Sequence, residues 1–189
     1  MLDRLRGRLQ SYLTGMGKVF AAVGLSPTAW TGVGLVVSVF AAAAYATSGL
    51  FGEVLGGVLI LVAGWFDIVD GAVARVTGKT SSRGAFLDST FDRVAEVALF
   101  LGILLGGFAP ADLVLISLAL SLLVSYTRAK GDALGVALSG VGVGERSERL
   151  LVIAISSLFG FVFWGVFVVA LLAGYTFLER VYRAVKALK

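Results

Sequence analysis

Four aspartates fall within one 26-residue stretch, Asp67-Ile-Val-Asp70-Gly71-Ala72-Val-Ala74-Arg75 and then Gly84-Ala-Phe-Leu-Asp88-Ser-Thr-Phe-Asp92-Arg93. Asp67 and Asp70 are spaced i, i+3, and Asp88 and Asp92 i, i+4, so on helices each pair shares a face. Carboxylates this close repel one another, and burying them uncompensated is very costly. Something cationic must sit among them. Arg75 and Arg93 would make the cluster an ion-pair network pinning helix ends, whereas a metal ion would make it a site. The paired spacing, with small Gly71, Ala72 and Ala74 leaving room beside it, favours metal, because ionisable groups within membrane helices default to function.

The chain has no His and no Cys. That removes the commonest general base, the commonest transition-metal ligand and all thiolate chemistry. With oxygen ligands alone, a hard cation is expected, Mg²⁺, Mn²⁺ or Ca²⁺ rather than Zn²⁺ or Cu²⁺. Four carboxylates suit two ions, the arrangement that clamps attacking and leaving oxygens in phosphoryl-type displacements.

The elements that must hold these residues are membrane helices. Of 189 residues 58% are apolar, before 25 glycines are counted, and mean hydropathy is +0.96. Charged residues make up 15%, against about 25% in soluble domains. An aqueous globule and a disordered chain are both excluded. Counting about 20 apolar residues per span, spans are expected at Ala29–Thr47, from Val54 into the charged stretch at Asp67, at Phe86–Phe108 and at Leu113–Thr127. Gly160 breaks the last apolar block into a short fifth helix, Arg146–Phe159, and a sixth, Phe161–Val185. The reading is an all-α integral membrane protein with six transmembrane helices, residues 1–189 forming a single membrane domain.

All sixteen basic residues then fall on one side, and the opposite turns carry only Glu53 and Asp112. The positive-inside rule puts both termini and the Asp cluster in the cytoplasm of a cell membrane. Residues 1–24 read as a juxtamembrane amphipathic helix: Leu2, Leu5, Leu9, Tyr12 and Leu13 form an apolar stripe, with Arg4, Arg6 and Arg8 off it. Such a helix lies on the inner leaflet.

Asp67-x2-Asp70-Gly71-x2-Ala74-Arg75-x8-Gly84-x3-Asp88-x3-Asp92 resembles the signature of the CDP-alcohol phosphotransferase family at all eight fixed positions. The resemblance implies a six-span homodimeric enzyme of phospholipid biosynthesis. In its reaction an acceptor hydroxyl attacks the lipid-bearing phosphate of a CDP-lipid and CMP leaves. It also implies that Asp67, Asp70 and Asp88 hold metal (Mg²⁺ or Mn²⁺), with Asp92 completing the metal site and acting as the catalytic base. Gly71, Ala74, Arg75 and Gly84 would form the nucleotide pocket. Pro27-Thr28-x2-Thr31 resembles the family's Pro-Asn-x2-Thr turn with Thr28 in place of Asn, which brings Thr31 to the nucleotide; equally, Pro27 and a hydroxyl cap simply start a helix.

Arg128, Arg146 and Arg180 resemble the three cations that bind inositol 1-phosphate in the branch making phosphatidylinositol phosphate or its archaeal counterpart, archaetidylinositol phosphate. Arg128 and Lys130 stand in the reverse of that branch's Lys-then-Arg order. Charge is kept, but bidentate geometry is not guaranteed by it. CDP-diacylglycerol and CDP-archaeol are both open as donors. Glycerol 3-phosphate is the rival acceptor, and serine or free inositol would need fewer cations. A metal or proton transporter is the alternative from another class, although transport sites lie near the midplane between repeats and these carboxylates crowd one interface.

Overall fold

The computed structural model describes residues 2–188, with side chains described from Gln10 onward. Seven helices follow one another: α1 (Leu2–Ala22), α2 (Pro27–Ala46), α3 (Gly49–Thr77), α4 (Ser82–Leu105), α5 (Ala111–Ala133), α6 (Arg146–Leu158) and α7 (Val162–Ala187). No strand occurs among the described residues.

Local chemistry sets these boundaries. Pro27 occupies the first turn of α2 behind Ser26, whose Oγ accepts from Ala29 N at 3.1 Å. Ser81 caps α4 in the same way, accepting from Gly84 N at 3.0 Å. Gly160, with φ +75, takes the left-handed conformation that ends α6. Two expected boundaries shift by five residues or more, the others by four or fewer. The second span starts at Gly49 instead of Val54. The fourth runs six residues past Thr127 to Ala133, because Arg, Ala and Lys are good helix formers even where the apolar window has ended.

By length and composition four helices suffice to cross a membrane: α2, α3, α5 and α7. α4 is long enough but carries Asp88, Asp92, Arg93 and Glu96. α6, with 13 residues, is about 20 Å long against about 30 Å of hydrocarbon.

α3 packs against α1, α2 and α6, while α7 packs against α5 and α6. Tyr45, Ile60, Phe100, Ile103, Ile153 and Val166 centre the core at the end away from the aspartates. Small residues let backbones approach there: a Cβ on Gly102 would overlap the Ala42 carbonyl. Glu53, 5% exposed, accepts from Val162 N at 2.7 Å and so neutralises the start of α7.

Of the α1 stripe expected on the inner leaflet, the described side chains are Tyr12 and Leu13, exposed and half-buried. Leu2, Leu5 and Leu9, like Arg4, Arg6 and Arg8, lie outside the residues whose side chains are described. Tyr12 is 69% exposed. Met16, Phe20 and Ala21 instead join the Trp30–Val69–Val73 cluster, and Gly17 backs onto Ala72 and Val76. The C-terminal half of α1 is thereby docked on α3 beneath the aspartates.

Candidate active site

α3 runs unbroken from its apolar half through Asp67 and Asp70 and ends at Gly78, whose φ of +65 gives a left-handed cap. Four residues later α4 begins, carrying Asp88 in its second turn and Asp92 in its third. This short connection brings the two carboxylate pairs face to face. One oxygen each from Asp67, Asp70 and Asp88 lies within 4.8 Å of the other two. Asp70 is buried, Asp88 half-buried and Asp67 exposed. Asp70 Oδ2 and Asp88 Oδ1 are buried without a hydrogen-bond partner. Buried carboxylate oxygens left bare are costly, and three converging oxygen donors are the set a hard divalent cation takes. The residues fit such an ion.

Asp92 stands beside this trio but is engaged differently. Its Oδ1 is 2.8 Å from Arg146 NH1, and its Oδ2 is 3.5 Å from Arg93 NH1. Arg146 NH1 also lies 3.5 Å from Asp67 Oδ1. The cations among the aspartates are therefore Arg146, from α6, and more distantly the Arg93 of the local sequence, but not Arg75. Arg75 folds back along its own helix toward Gly71.

The residues expected at the nucleotide gather at the same helix ends. Thr31 lines a small cleft with Ser38, Asp67, Asp70, Asp92 and Arg146. Its hydroxyl donates to Pro27 O at 3.2 Å, while the capping hydroxyl of α2 belongs to Ser26. Gly71 and Ala74 are half-buried on α3, and Gly84 is half-buried in the first turn of α4.

A much larger cavity, about 1130 Å³, opens from Asp67, Asp88 and Asp92 toward Arg128, Arg146 and Arg180. The three arginines do border one space, yet they differ in freedom. Arg128 is exposed. Arg180 is 2% exposed and donates to Val141 O at 3.0 Å, Val124 O at 2.9 Å and Glu145 Oε1 at 3.0 Å. It thus ties the body of α5, the α5–α6 loop and the cap of α6 together, and a guanidinium's five donors leave two beyond these three.

Sequence reasoning missed one pair. Arg149 Nε and NH2 donate to Glu96 Oε1 at 3.0 and 2.7 Å, both side chains being 1% exposed. Asp88, Asp92 and Glu96 form an i, i+4, i+8 row, and that period was the available signal.

Residues 25–179 match the family described as CDP-alcohol phosphatidyltransferase. The chain belongs to this family, whose members are membrane transferases acting in phospholipid biosynthesis. It is 38% identical over all of its 189 residues to an archaetidylinositol phosphate synthase of Pyrococcus horikoshii, covering 99% of that protein. It is 37% identical to an archaetidylinositol phosphate synthase of Methanothermobacter thermautotrophicus over 78% of this chain and 76% of the other. A crystal structure of Mycobacterium tuberculosis phosphatidylinositol phosphate synthase with CDP-DAG bound superposes with a TM-score of 0.78 at 30% identity, covering 91% of this chain and 92% of that one. A second structure of that enzyme, with manganese and citrate, gives a TM-score of 0.77 at 31% identity, covering 91% and 88%.

Proposed function

We propose that this chain transfers the lipid-phosphate moiety of CDP-diacylglycerol or CDP-archaeol to a hydroxyl of inositol 1-phosphate, releasing CMP. The observation that carries the proposal is the shared cavity: Asp67, Asp88 and Asp92 form one wall, and Arg128, Arg146 and Arg180 border the same space. An acidic wall suits a metal-held pyrophosphate, and three cations suit a second phosphate. The names of the archaeal relatives favour inositol 1-phosphate over glycerol 3-phosphate, which the cations alone would accept equally.

In this reading Asp67, Asp70 and Asp88 would hold Mg²⁺ or Mn²⁺, with Asp92 completing a two-ion site, and the ions would supply charge neutralisation for the donor phosphates and the acceptor hydroxyl. Thr31, Gly71, Ala74, Arg75 and Gly84 hold the nucleotide. Asp92 takes the hydroxyl proton. The freed oxygen forms a bond to the lipid-bearing phosphorus as the bond to the CMP phosphate oxygen breaks, and CMP departs with that electron pair. Arg146, on Asp92 at 2.8 Å, keeps the base aimed, and its remaining donors are left for the acceptor phosphate.

The membrane arrangement belongs to the same proposal: six spans, α4 and α6 included, with α1 on the inner leaflet, the site cytoplasmic, residues 1–189 one domain, and the chain a homodimer. The one-sided basic residues support the orientation, as do the exposed Phe161 and Trp164 at the start of α7, which suit an aromatic belt at the other interface. The test is CMP release from CDP-lipid by purified protein with inositol 1-phosphate, inositol, glycerol 3-phosphate and serine. Inositol 1-phosphate is expected to be used best. Equal use of unphosphorylated inositol would overturn the acceptor assignment.

A further inference from the structure

Two ion pairs connect α4 to α6 like successive rungs. The outer one joins Asp92 to Arg146 at 2.8 Å, and the inner one joins Glu96 to Arg149 at 2.7 Å. Glu96 follows Asp92 by four residues and Arg149 follows Arg146 by three, so each partner lies about one turn deeper on the same face. The rungs differ in burial. Arg146 and Asp92 side chains are 21% and 18% exposed, whereas Arg149 and Glu96 are 1% each. Arg149 NH1 also donates to Gly144 O at 2.6 Å, gripping the chain just before the Glu145 cap. Glu96 and Arg146 line a common narrow cavity with Ser38 and Leu150, and Glu96 Oε2 and Arg146 Nε are both buried without a partner in the protein.

We infer that Glu96 is a positioning residue: through Arg149 it fixes the height and rotation of the first turn of α6, and thereby where Arg146 meets both Asp92 and the acceptor's phosphate. The inference rests on the acceptor site proposed above. A buried ion pair is weak evidence for stability, since well-packed apolar residues often replace one at no loss. What such residues do not replace is the directional tie between Glu96, Arg149 and the Gly144 carbonyl. α6 has only 13 residues and begins in a cavity, so its register depends on such ties more than that of a long helix does.

The experiment compares wild type, Glu96→Gln and the double variant Glu96→Leu/Arg149→Met, measuring thermal midpoint together with KM for acceptor and for CDP-lipid. Glu96→Gln leaves Arg149 buried without its counter-charge and is expected to lower the midpoint; the double variant removes both charges and is expected to recover it. In both, acceptor KM should rise about tenfold, the size of a typical coupling between contacting groups, with CDP-lipid KM changed less than about twofold. On an Arg146→Ala background, Glu96→Gln should raise acceptor KM no further. A folded double variant with wild-type acceptor KM would show the pair to be structural only and overturn the inference, as would additivity with Arg146→Ala. If wild type rejects inositol 1-phosphate but releases CMP with another acceptor, the functional reading fails, and the same comparison made on that acceptor's KM still decides the role of Glu96.

Discussion

Asp92 is the residue whose contacts most constrain its role. It sits beside, not within, the close trio of Asp67, Asp70 and Asp88, and its near partner is the Arg146 guanidinium. A carboxylate held there borders the close trio and the large cavity at once, which is the placement a general base needs. Asp92→Asn keeps the size of the side chain and removes its negative charge together with its basicity. Its folding is therefore expected to survive, by thermal midpoint, while CMP release falls by orders of magnitude; near-normal turnover would remove Asp92 from this role. The trio makes a separate expectation. Because every donor is a carboxylate, excess EDTA should abolish CMP release and added Mg²⁺ or Mn²⁺ should restore it, and full turnover in EDTA would sink the metal reading. The four aspartates were legible in the sequence because their spacing is local and repeats a helical period. The Arg146 partnership was not, because 54 and 79 positions separate it from Asp92 and Asp67, and only the docking of α6 on α3 and α4 closes that distance. Glu96 was legible in principle from the 88–92–96 row, but a lone Glu in an apolar helix gives no sign that Arg149 will meet it.

At the scale of elements, helix ends followed rules a sequence displays: Pro27 in a first turn, serines as caps, Gly160 as a break. Which faces meet was less visible, since lipid-facing and core-facing positions are equally apolar and the hydrophobic pattern no longer separates them. Tyr12 and Met16 of α1 illustrate this, the aromatic exposed and the Met half-buried in the Trp30 cluster. Glycine contacts resolve it after the fact. At Gly102 a Cβ would come 2.7 Å from Ala42 Cα, so α4 and α2 touch through backbone. Gly102→Val should force them apart and cost about 1–3 kcal/mol, as overpacking of a tight contact does. Gly32, on α2, has no atom within 4 Å of where its Cβ would stand, so Gly32→Ala should leave the midpoint unchanged or raise it by up to about 1 kcal/mol of stability. Equal midpoints for the two variants would mean that this crossing does not hold the bundle.

Across the whole molecule, four of the described helices are apolar and long enough to cross a bilayer on their own account. If α2, α3, α5 and α7 alone crossed, the chain would return to the cytoplasm after α3, α5 would start there, and its C-terminal end would emerge outside. Lys130 and Arg128 would then lie across the membrane from Asp67 and Asp88. That contradicts the single cavity that Arg128 shares with Asp67, Asp88 and Asp92. With α4 and α6 also crossing, every aspartate and arginine of the cavity falls on one side. The shortness of α6 is then tolerable because its first turn lines the cavity instead of facing lipid, where backbone groups can find water or protein partners, and a local mismatch costs only fractions of a kcal/mol per Å. The charged residues of α4 likewise face α6 and the cavity. Since the chain contains no cysteine, single substitutions at exposed positions report topology directly. Asp112→Cys, at the start of α5, should react with a membrane-impermeant maleimide in intact cells; Lys130→Cys and Lys186→Cys should react only after permeabilisation. The four-span arrangement exchanges the first two results and leaves the third, so labelling of Lys130→Cys in intact cells, with Asp112→Cys protected, would overturn the six-span membrane arrangement and, with it, the shared cavity on which the acceptor assignment depends.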